Sequence, residues 1–386
     1  MIKLLKNAQV YSPAPLGKKD VLVIGDKVAR IDDSIQGYDG LPEVEVIDLK
    51  GKKLLPGYID IHIHITGGGG EQGFTSRVPE SQLSVIVGSG ITTVLGLLGT
   101  DGITRSMENL IAKAGSYNEE GITAYALTSA YGLPVHTLTG DVEKDVMMID
   151  PIVGVKIAVS DHRSSSPTGE ELIKVATAAR RGGLLSAKPG LVMMHMGDGK
   201  GGLDPIFYVL DHADVPLKNL LPTHMTRKKE LLEQGVELIR RGGYIDVTAG
   251  ADPESLESTT DKLMDTLSKD GVTIDHISLS SDGYGSMPRF DDEGNCIGLT
   301  YASPTSLHAT IKALVRRGVA LEEAIKLLTT TPAELLGKTG VKGCVAVGAD
   351  ADLLVLDDEL NIDALFARGR TAVQDGKVIL KGRFEV

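Results

Sequence analysis

The chain has 386 residues, of which 42% are hydrophobic and 24% are charged, the composition of an ordinary soluble globular protein. Its net charge of −12 provides no global positive field, so we expect neither nucleic acid nor a membrane surface as a partner. The sequence shows no signal-peptide features and no cysteine framework. It also has no apolar run near the roughly 18 residues that span a bilayer. We therefore expect a cytoplasmic protein.

Short β-type runs separated by turns occupy both ends of the chain. Residues 21–26 are such a run near the N-terminal end, and residues 351–356 are one near the C-terminal end. Neither end alone has enough strands for a stable sheet. We therefore predict one small β-sandwich domain that is built from residues 1–55 and 343–386 together.

Residues 56–342 have a different rhythm, in which short apolar runs alternate with helical patterns such as residues 169–181 and 229–241. This alternation is typical of βα units that form a parallel sheet. We therefore predict an α/β fold in which this region is a (β/α)8 TIM barrel. Its eight strands are expected to end near His64, Leu98, Ala130, Val159, Met196, Met225, Thr248 and Ser281.

Polar side chains stand at several of these predicted strand ends, which is where barrel enzymes carry their chemistry. Each one alone has an ordinary structural explanation, since a lone core histidine is usually satisfied and a strand lysine usually extends to water. Their coincidence at strand ends instead indicates a metal site. The predicted ligands are His62, His64, Lys156, His195, His224 and Asp282.

His62 and His64 are two residues apart in a predicted strand, so both point to one face, about 6.6–6.8 Å apart along the chain. They can hold one ion, and two histidines from separate strands can hold a second, most plausibly as two Zn²⁺. Two such ions need a bridging anion. Lys156 can supply it, because burial near cations lowers the pKa of its ammonium and the neutral amine can add CO₂ to give a carbamate.

With this ligand set and a β domain made from both termini, the chain resembles the amidohydrolase superfamily over essentially its whole length. The resemblance implies a hydrolase in which a water or hydroxide bridges two metal ions. It also implies that Asp282, besides being a ligand, takes a proton from this nucleophile and passes it to the leaving amine.

Several loops are similar, more specifically, to the isoaspartyl dipeptidase family, whose members hydrolyse β-aspartyl dipeptides. The similar segments are residues 67–71, 130–132, 156–165, 223–227 and 281–286. The resemblance implies a small dipeptide as substrate and a homo-oligomeric assembly.

A β-aspartyl dipeptide carries one ammonium group, two carboxylates and one amide, and the resemblance implies a partner for each. Arg163 and Arg227 are expected to bind the carboxylate of the leaving amino acid, since guanidinium groups suit carboxylates. Glu71 is expected to bind the ammonium, and Tyr131 to stabilise the carbonyl oxygen as it becomes an oxyanion. The donors expected for the other carboxylate are Gly69, Thr100 and Ser286.

Other functions are compatible with the same pattern. Tyr131 also suits rim packing, and Glu71, Arg163 and Arg227 also suit a solvated surface. One alternative is another binuclear amidohydrolase that opens a cyclic amide, such as a hydantoin or dihydropyrimidine, or cleaves an N-acyl amino acid. A second is a non-catalytic assembly protein on the same scaffold, although such a protein would be expected to lose ligands that are all present here.

Overall fold

A computed structural model describes residues 2–38, 40–290 and 296–385. Its N-terminal part contains the strands β1 (Ile2–Tyr11), β2 (Pro15–Ile24), β3 (Lys27–Asp32), β4 (Val44–Asp48) and β5 (Lys53–Pro56). Strand β1 pairs antiparallel with β2 and parallel with both β4 and β5.

The middle of the chain supplies parallel strands that curl around an interior. They are β6 (Tyr58–Ile63), β7 (Ile91–Gly96), β8 (Thr123–Thr128), β9 (Ile152–Val159), β10 (Leu191–Met196), β11 (Leu220–Thr223), β12 (Ile245–Thr248) and β13 (Ile277–Ser280). Strands β6 to β11 form one six-stranded sheet in sequence order, and β12 pairs with β13. Each strand ends within about two residues of its predicted end.

Backbone hydrogen bonds continue across both gaps in this arrangement. Between β11 and β12, the amide of Met225 donates to the carbonyl of Asp246 over 3.3 Å. Between β13 and β6, the amide of His64 donates to the carbonyl of Gly283 over 2.9 Å. The carboxyl ends of the first and last strands therefore lie side by side, as the predicted metal site requires.

Helices follow most of these strands. They are α1 (Leu83–Gly88), α2 (Met107–Glu120), α3 (Val142–Met148), α4 (Gly169–Ser186), α5 (Asp204–His212), α6 (Lys229–Arg240), α7 (Pro253–Leu267), α8 (Thr305–Arg316), α9 (Leu321–Ala324) and α10 (Thr330–Leu335). Helix α4 begins where predicted because Thr168 and Glu171 form a capping box. No helix in the described ranges is both long and apolar enough to cross a membrane.

A hairpin of β14 (Ser286–Phe290) and β15 (Cys296–Tyr301) follows β13, and the chain ends with β16 (Leu353–Leu356), β17 (Ile362–Ala367), β18 (Arg370–Gln374) and β19 (Lys377–Val378). Strand β16 pairs antiparallel with β5, so strands from both ends of the chain form one nine-stranded sheet. Both faces of β1 are covered, because Leu4 packs with Leu22 and Ile35 while Leu5 belongs to a separate buried cluster.

Strand alternation determines which side chains reach the interior of the curled sheet. On β10, Leu191 and Met193 pack with residues of the other strands, whereas Val192 and Met194 pack toward the helices. Because side chains alternate along a strand, His195 is the next residue that faces the same side as Leu191 and Met193. The period of two therefore places this histidine in the interior, at the carboxyl end of its strand.

Candidate active site

The first ligand group comes from β6 and the turn after β13. One ligand atom each of His62, His64 and Asp282 lies within 4.8 Å of the others. The closest carboxylate oxygen of Asp282 is 3.3 Å from Nε2 of His62 and 3.1 Å from Nε2 of His64. Burial alone would raise the pKa of Asp282, but the two histidines hold this pKa well below its usual range. The carboxylate is therefore ionised and available as a ligand or a base.

The chain turns sharply where several interior strands end. Ser129, Ser160, His224 and Asp282 all have a positive φ, between 51° and 75°. This left-handed conformation is unfavourable for residues other than glycine and is found where the surrounding structure enforces it. At His224 it turns the chain immediately after β11, and at Asp282 it does so two residues after β13.

Lys156 is fully buried on β9, as a metal-bridging role would require. Its Nζ is 3.2 Å from Nε2 of His62. Burial lowers the pKa of the Lys156 ammonium to about 7. A substantial neutral fraction of the amine is therefore present near neutral pH.

The other two histidines lie beside this group. The ring centroid of His224 is 4.9 Å from that of His62 and 4.5 Å from that of His195. Burial lowers the pKa of His195 to about 3 and that of His224 well below its usual value, so both rings are neutral, the form that coordinates metals.

The donor atoms fit one or more divalent ions. Among the described residues, the buried atoms Nδ1 of His64 and Nε2 of His224 have no hydrogen-bond partner. Buried polar atoms are normally satisfied, so the free Nε2 of His224 points to a ligand, whereas the atom of His64 that faces Asp282 is its Nε2. His195 differs, because its Nδ1 is 2.7 Å from the hydroxyl of Tyr131 and its Nε2 is 3.0 Å from Asp161. Coordination by His195 therefore requires the release of one of these contacts.

Asp161 is a central residue that the sequence interpretation did not include in the site. Its carboxylate accepts two hydrogen bonds of 2.9 Å from the guanidinium of Arg163 and lies 3.5 Å from Nη1 of Arg227. Burial alone would raise the pKa of Asp161, but His195 and Arg163 hold this pKa far below its usual range. Its place two residues after β9 follows the same strand-end rule as the ligands, and this signal could have identified it.

The predicted oxyanion donor and the two arginines lie next to the ligand group. Burial raises the pKa of the Tyr131 hydroxyl well above its usual value, so this group remains a donor. The guanidinium carbon of Arg163 is 5.5 Å from the centroid of the Tyr131 ring, and Arg227 donates to the carbonyl of Met196 over 3.0 Å. Both arginine side chains are partly exposed, at 23% and 30%.

Glu71 places a carboxylate beside Arg163. Its carboxylate accepts hydrogen bonds from the hydroxyls of Thr100 (3.1 Å) and Ser286 (3.0 Å) and lies 3.5 Å from Arg163. Gly69 lies in the same loop with a φ of +78°, and a Cβ there would be 2.4 Å from the carbonyl oxygen of Ser76. Gly69, Glu71, Thr100 and Ser286 therefore lie close together, as expected. The hydroxyls of Thr100 and Ser286, however, bond to Glu71 and orient its carboxylate.

Three further buried residues support the site and were not predicted. Asp60 accepts hydrogen bonds from the amide and hydroxyl of Ser281, next to Asp282. Asp246 accepts hydrogen bonds from side-chain hydroxyls of the neighbouring strands. Arg105 donates to the carbonyls of Thr66, Gly68 and Val78 around the glycine-rich loop. A charged residue inside an apolar strand pattern was a usable signal for Asp60 and Asp246, but not for Arg105.

Fold and site together are those of an α/β enzyme whose metal-ligand cluster stands at the carboxyl ends of parallel strands. The chain belongs to the amidohydrolase family, whose profile matches residues 54–383. The predicted resemblance to this superfamily is thereby confirmed.

Two solved structures are similar to the chain along almost its whole length. A beta-aspartyl dipeptidase from Fervidobacterium islandicum AW-1, in complex with a beta-Asp-Leu dipeptide, is 42% identical, with a TM-score of 0.90 and coverage of 98% of this chain and 99% of that one. A second structure of that organism's enzyme is 40% identical, with a TM-score of 0.89 and the same coverage. The closer resemblance to isoaspartyl dipeptidases is thus also confirmed.

A curated relative shows how widely the fold is used. An adenine deaminase from Lactobacillus delbrueckii subsp. bulgaricus is 25% identical over 382 residues, or 95% of this chain. The chain spans 58% of the length of that relative. A similarity of this kind supports the family rather than a particular reaction.

Proposed function

We propose that this protein hydrolyses β-aspartyl dipeptides. The observation that carries the proposal is a group of charged side chains beside the ligand cluster, in which Glu71 lies 3.5 Å from Arg163, and Arg163 and Arg227 both contact Asp161. A dipeptide with one ammonium and two carboxylates complements this arrangement. The similarity to a beta-aspartyl dipeptidase in complex with beta-Asp-Leu supports the same substrate.

Two Zn²⁺ ions are proposed as the resident metals. The residues that would hold them are His62, His64, Lys156, His195, His224 and Asp282. When bound, such ions polarise the scissile carbonyl and lower the pKa of a water molecule so that it can act as a nucleophile near neutral pH.

Lys156 is proposed to carry a carbamate. Its neutral amine forms an N–C bond to CO₂ and releases one proton, which leaves an anion with two oxygen donors. Full burial next to His62 supports this assignment, because a buried ammonium without a carboxylate partner is unfavourable. Intact-mass measurement of the metal-loaded protein under native conditions should show the mass of one added CO₂. Active protein with unmodified Lys156 would contradict the assignment.

Asp282 and Tyr131 are the proposed catalytic residues. The ionised carboxylate of Asp282 takes the proton of the attacking water and delivers it to the nitrogen of the leaving amino acid as the amide bond breaks. The hydroxyl of Tyr131, which remains protonated, donates a hydrogen bond to the carbonyl oxygen as negative charge develops on it. Asp282 thus transfers the proton from water to the leaving group, and Tyr131 stabilises the tetrahedral intermediate.

The remaining contacts position the substrate. Arg163 and Arg227 bind the carboxylate of the leaving residue, and Glu71 binds the ammonium. The other substrate carboxylate meets donors from Gly69, Thr100 and Ser286. Because Thr100 and Ser286 donate to Glu71 in the structure, their hydroxyls have to turn from it to meet a carboxylate.

A substrate panel tests the function directly. The purified protein is offered β-Asp-Leu, α-Asp-Leu, N-acetyl-β-Asp-Leu, hydantoin and dihydrouracil, and the release of free aspartate or ring opening is measured. We expect rapid release from β-Asp-Leu and slow or no reaction with the others, since only β-Asp-Leu pairs the free amine with the isopeptide bond. Ring opening without cleavage of β-Asp-Leu would overturn the proposal.

The larger organisation is proposed as follows. The parallel strands close into a (β/α)8 barrel over residues 56–342, and residues 1–55 with 343–386 form a β-sandwich domain. The hydrogen bonds across both strand gaps support the first statement, and the two covered faces of β1 support the second. A cytoplasmic homo-oligomer is proposed from the low cysteine content and the family resemblance.

A further inference from the structure

We propose that Asp246 is a positioning residue that sets, through the hydroxyl of Thr223, which ring nitrogen of His62 carries the proton. Neither residue belongs to the expected ligand set, and neither would touch the substrate. The inference rests on the proposed function in one respect, since it concerns the readiness of His62 to bind a metal ion.

Asp246 lies on β12 and is completely buried. One carboxylate oxygen accepts hydrogen bonds of 2.6 Å from the hydroxyls of Thr223 and Ser280. The other accepts a hydrogen bond of 2.7 Å from the hydroxyl of Ser278. These three donors lie on β11 and β13, the strands on either side of β12, so the carboxylate is held from both sides.

The direction of the hydrogen bonds follows from the chemistry of the groups. A carboxylate only accepts, and a hydroxyl has one hydrogen to donate. The hydroxyl of Thr223 gives this hydrogen to Asp246 and therefore presents a lone pair to Nδ1 of His62, which is 3.2 Å away. Nδ1 of His62 consequently carries the ring proton.

The consequence appears on the other side of the ring. With the proton on Nδ1, Nε2 of His62 has a free lone pair, and it faces Lys156 at 3.2 Å and Asp282 at 3.3 Å. A metal ion binds a nitrogen that has no proton. The carboxylate of Asp246 thus prepares His62 for coordination from a distance, as groups behind a ligand histidine commonly do.

Zinc affinity of the full-length protein tests this relay. Thr223→Val keeps the shape of the side chain but removes the hydroxyl, and Thr223→Ser restores the hydroxyl. Ser278→Ala is the matched control, since it removes a donor from the same carboxylate without touching His62. Affinity is measured by competition with a chromophoric chelator, and thermal unfolding of each metal-stripped variant reports folding.

We expect Thr223→Val to weaken zinc binding by about 10- to 100-fold, a range typical for partners of ligand histidines. Thr223→Ser and Ser278→Ala should stay within a few-fold of the parent protein. Asp246→Asn, which places an amide donor in the network, should weaken binding at least as much as Thr223→Val. If Asp246→Asn does not fold, the Thr223 pair still decides the question.

Two results would overturn the inference. One is unchanged zinc affinity in Thr223→Val, and the other is an equal loss in Ser278→Ala, which would assign the network to structure alone. A parent protein that cleaves β-Asp-Leu while Thr223→Val binds zinc normally would refute the relay and leave the proposed function intact. A parent protein that binds no zinc would refute the relay and the proposed zinc site, while the proposed function would still be decided by cleavage of β-Asp-Leu.

Discussion

The expected ligand cluster and the proposed substrate-binding residues adjoin each other but are held in different ways. The ligands stand on or directly after strands, and His62 and Lys156 are fully buried. The side chains of Glu71, Arg163 and Arg227 stand in connecting segments and are 26%, 23% and 30% exposed. Hydrogen-bonded strands therefore fix the first group, whereas the second depends mainly on side-chain contacts with residues such as Asp161, Thr100 and Ser286.

This difference predicts how the two regions respond to change. A ligand on a strand has a fixed position relative to its neighbours. When it is substituted, no other side chain can take over its role. A charge on a loop can be partly replaced by water or by a neighbouring side chain. Losses should therefore be largest in the ligand cluster and decrease toward the loops.

Removal of metal is expected to have the largest effect. Dialysis of the protein against a chelator should reduce cleavage of β-Asp-Leu to background, because the ions would polarise the scissile carbonyl and lower the pKa of the attacking water, and added Zn²⁺ should restore it. Circular dichroism before and after dialysis controls for unfolding. Folded, metal-free protein that retains full turnover would end the metal interpretation.

Asp282→Asn should come next. The amide keeps the size of the side chain but cannot take the proton, so kcat should fall by about 10²- to 10⁴-fold. Metal content should remain near that of the parent protein, because His62 and His64 remain. A variant that loses its metal together with its activity would show that Asp282 acts mainly as a ligand.

The same division explains how much could be predicted from the sequence. The expected ligands were accessible because each lies on or shortly after a strand with a clear apolar pattern, and a parallel sheet brings strand ends together. His195, for example, has the parity of two interior residues on its own strand. The two ends of the chain also indicated one shared β domain, because neither had enough strands alone.

The supporting contacts could not be read in this way. Thr223, Asp246 and Arg105 act through partners on other strands or loops, and no local spacing indicates which partner each one meets. The roles of Glu71, Thr100 and Ser286 came from family resemblance, and even this did not show that both hydroxyls orient Glu71. Such cross-chain pairings depend on the folded geometry, which a period of two or 3.6 residues does not encode.

Arg227→Ala measures the stronger side of the substrate pocket. The loss of a guanidinium that binds the carboxylate of the leaving residue should lower kcat/KM for β-Asp-Leu. The corresponding loss of transition-state stabilisation is roughly 2–4 kcal/mol. Arg227→Lys should recover only part of this loss, since an ammonium cannot form the bidentate contact. Unchanged kinetics in Arg227→Ala would show that Arg163 binds the carboxylate alone or that the pose is wrong.

Glu71→Gln should have a smaller effect, of roughly 1–2 kcal/mol in kcat/KM, because this carboxylate is partly exposed. The loss should be confined to substrates with a free ammonium. N-acetyl-β-Asp-Leu therefore serves as the control, and its slow reaction should not change. An equal loss for both substrates would indicate that Glu71 acts on Arg163 rather than on the ammonium.

Arg105→Lys should give the smallest effect and shows how far support for the loop extends. The guanidinium of Arg105 is almost completely buried and donates to carbonyls at residues 66, 68 and 78, on both sides of Glu71. A lysine ammonium cannot reach all three in the same geometry, so one hydrogen bond, worth about 1 kcal/mol, should be lost. We expect KM for β-Asp-Leu to rise about fivefold, with kcat and metal content unchanged, because Arg105 bonds to carbonyls of the loop and not to the expected ligands. A fall in metal content instead would mean that loop and cluster form one mechanical unit, and the contrast between the two regions would fail.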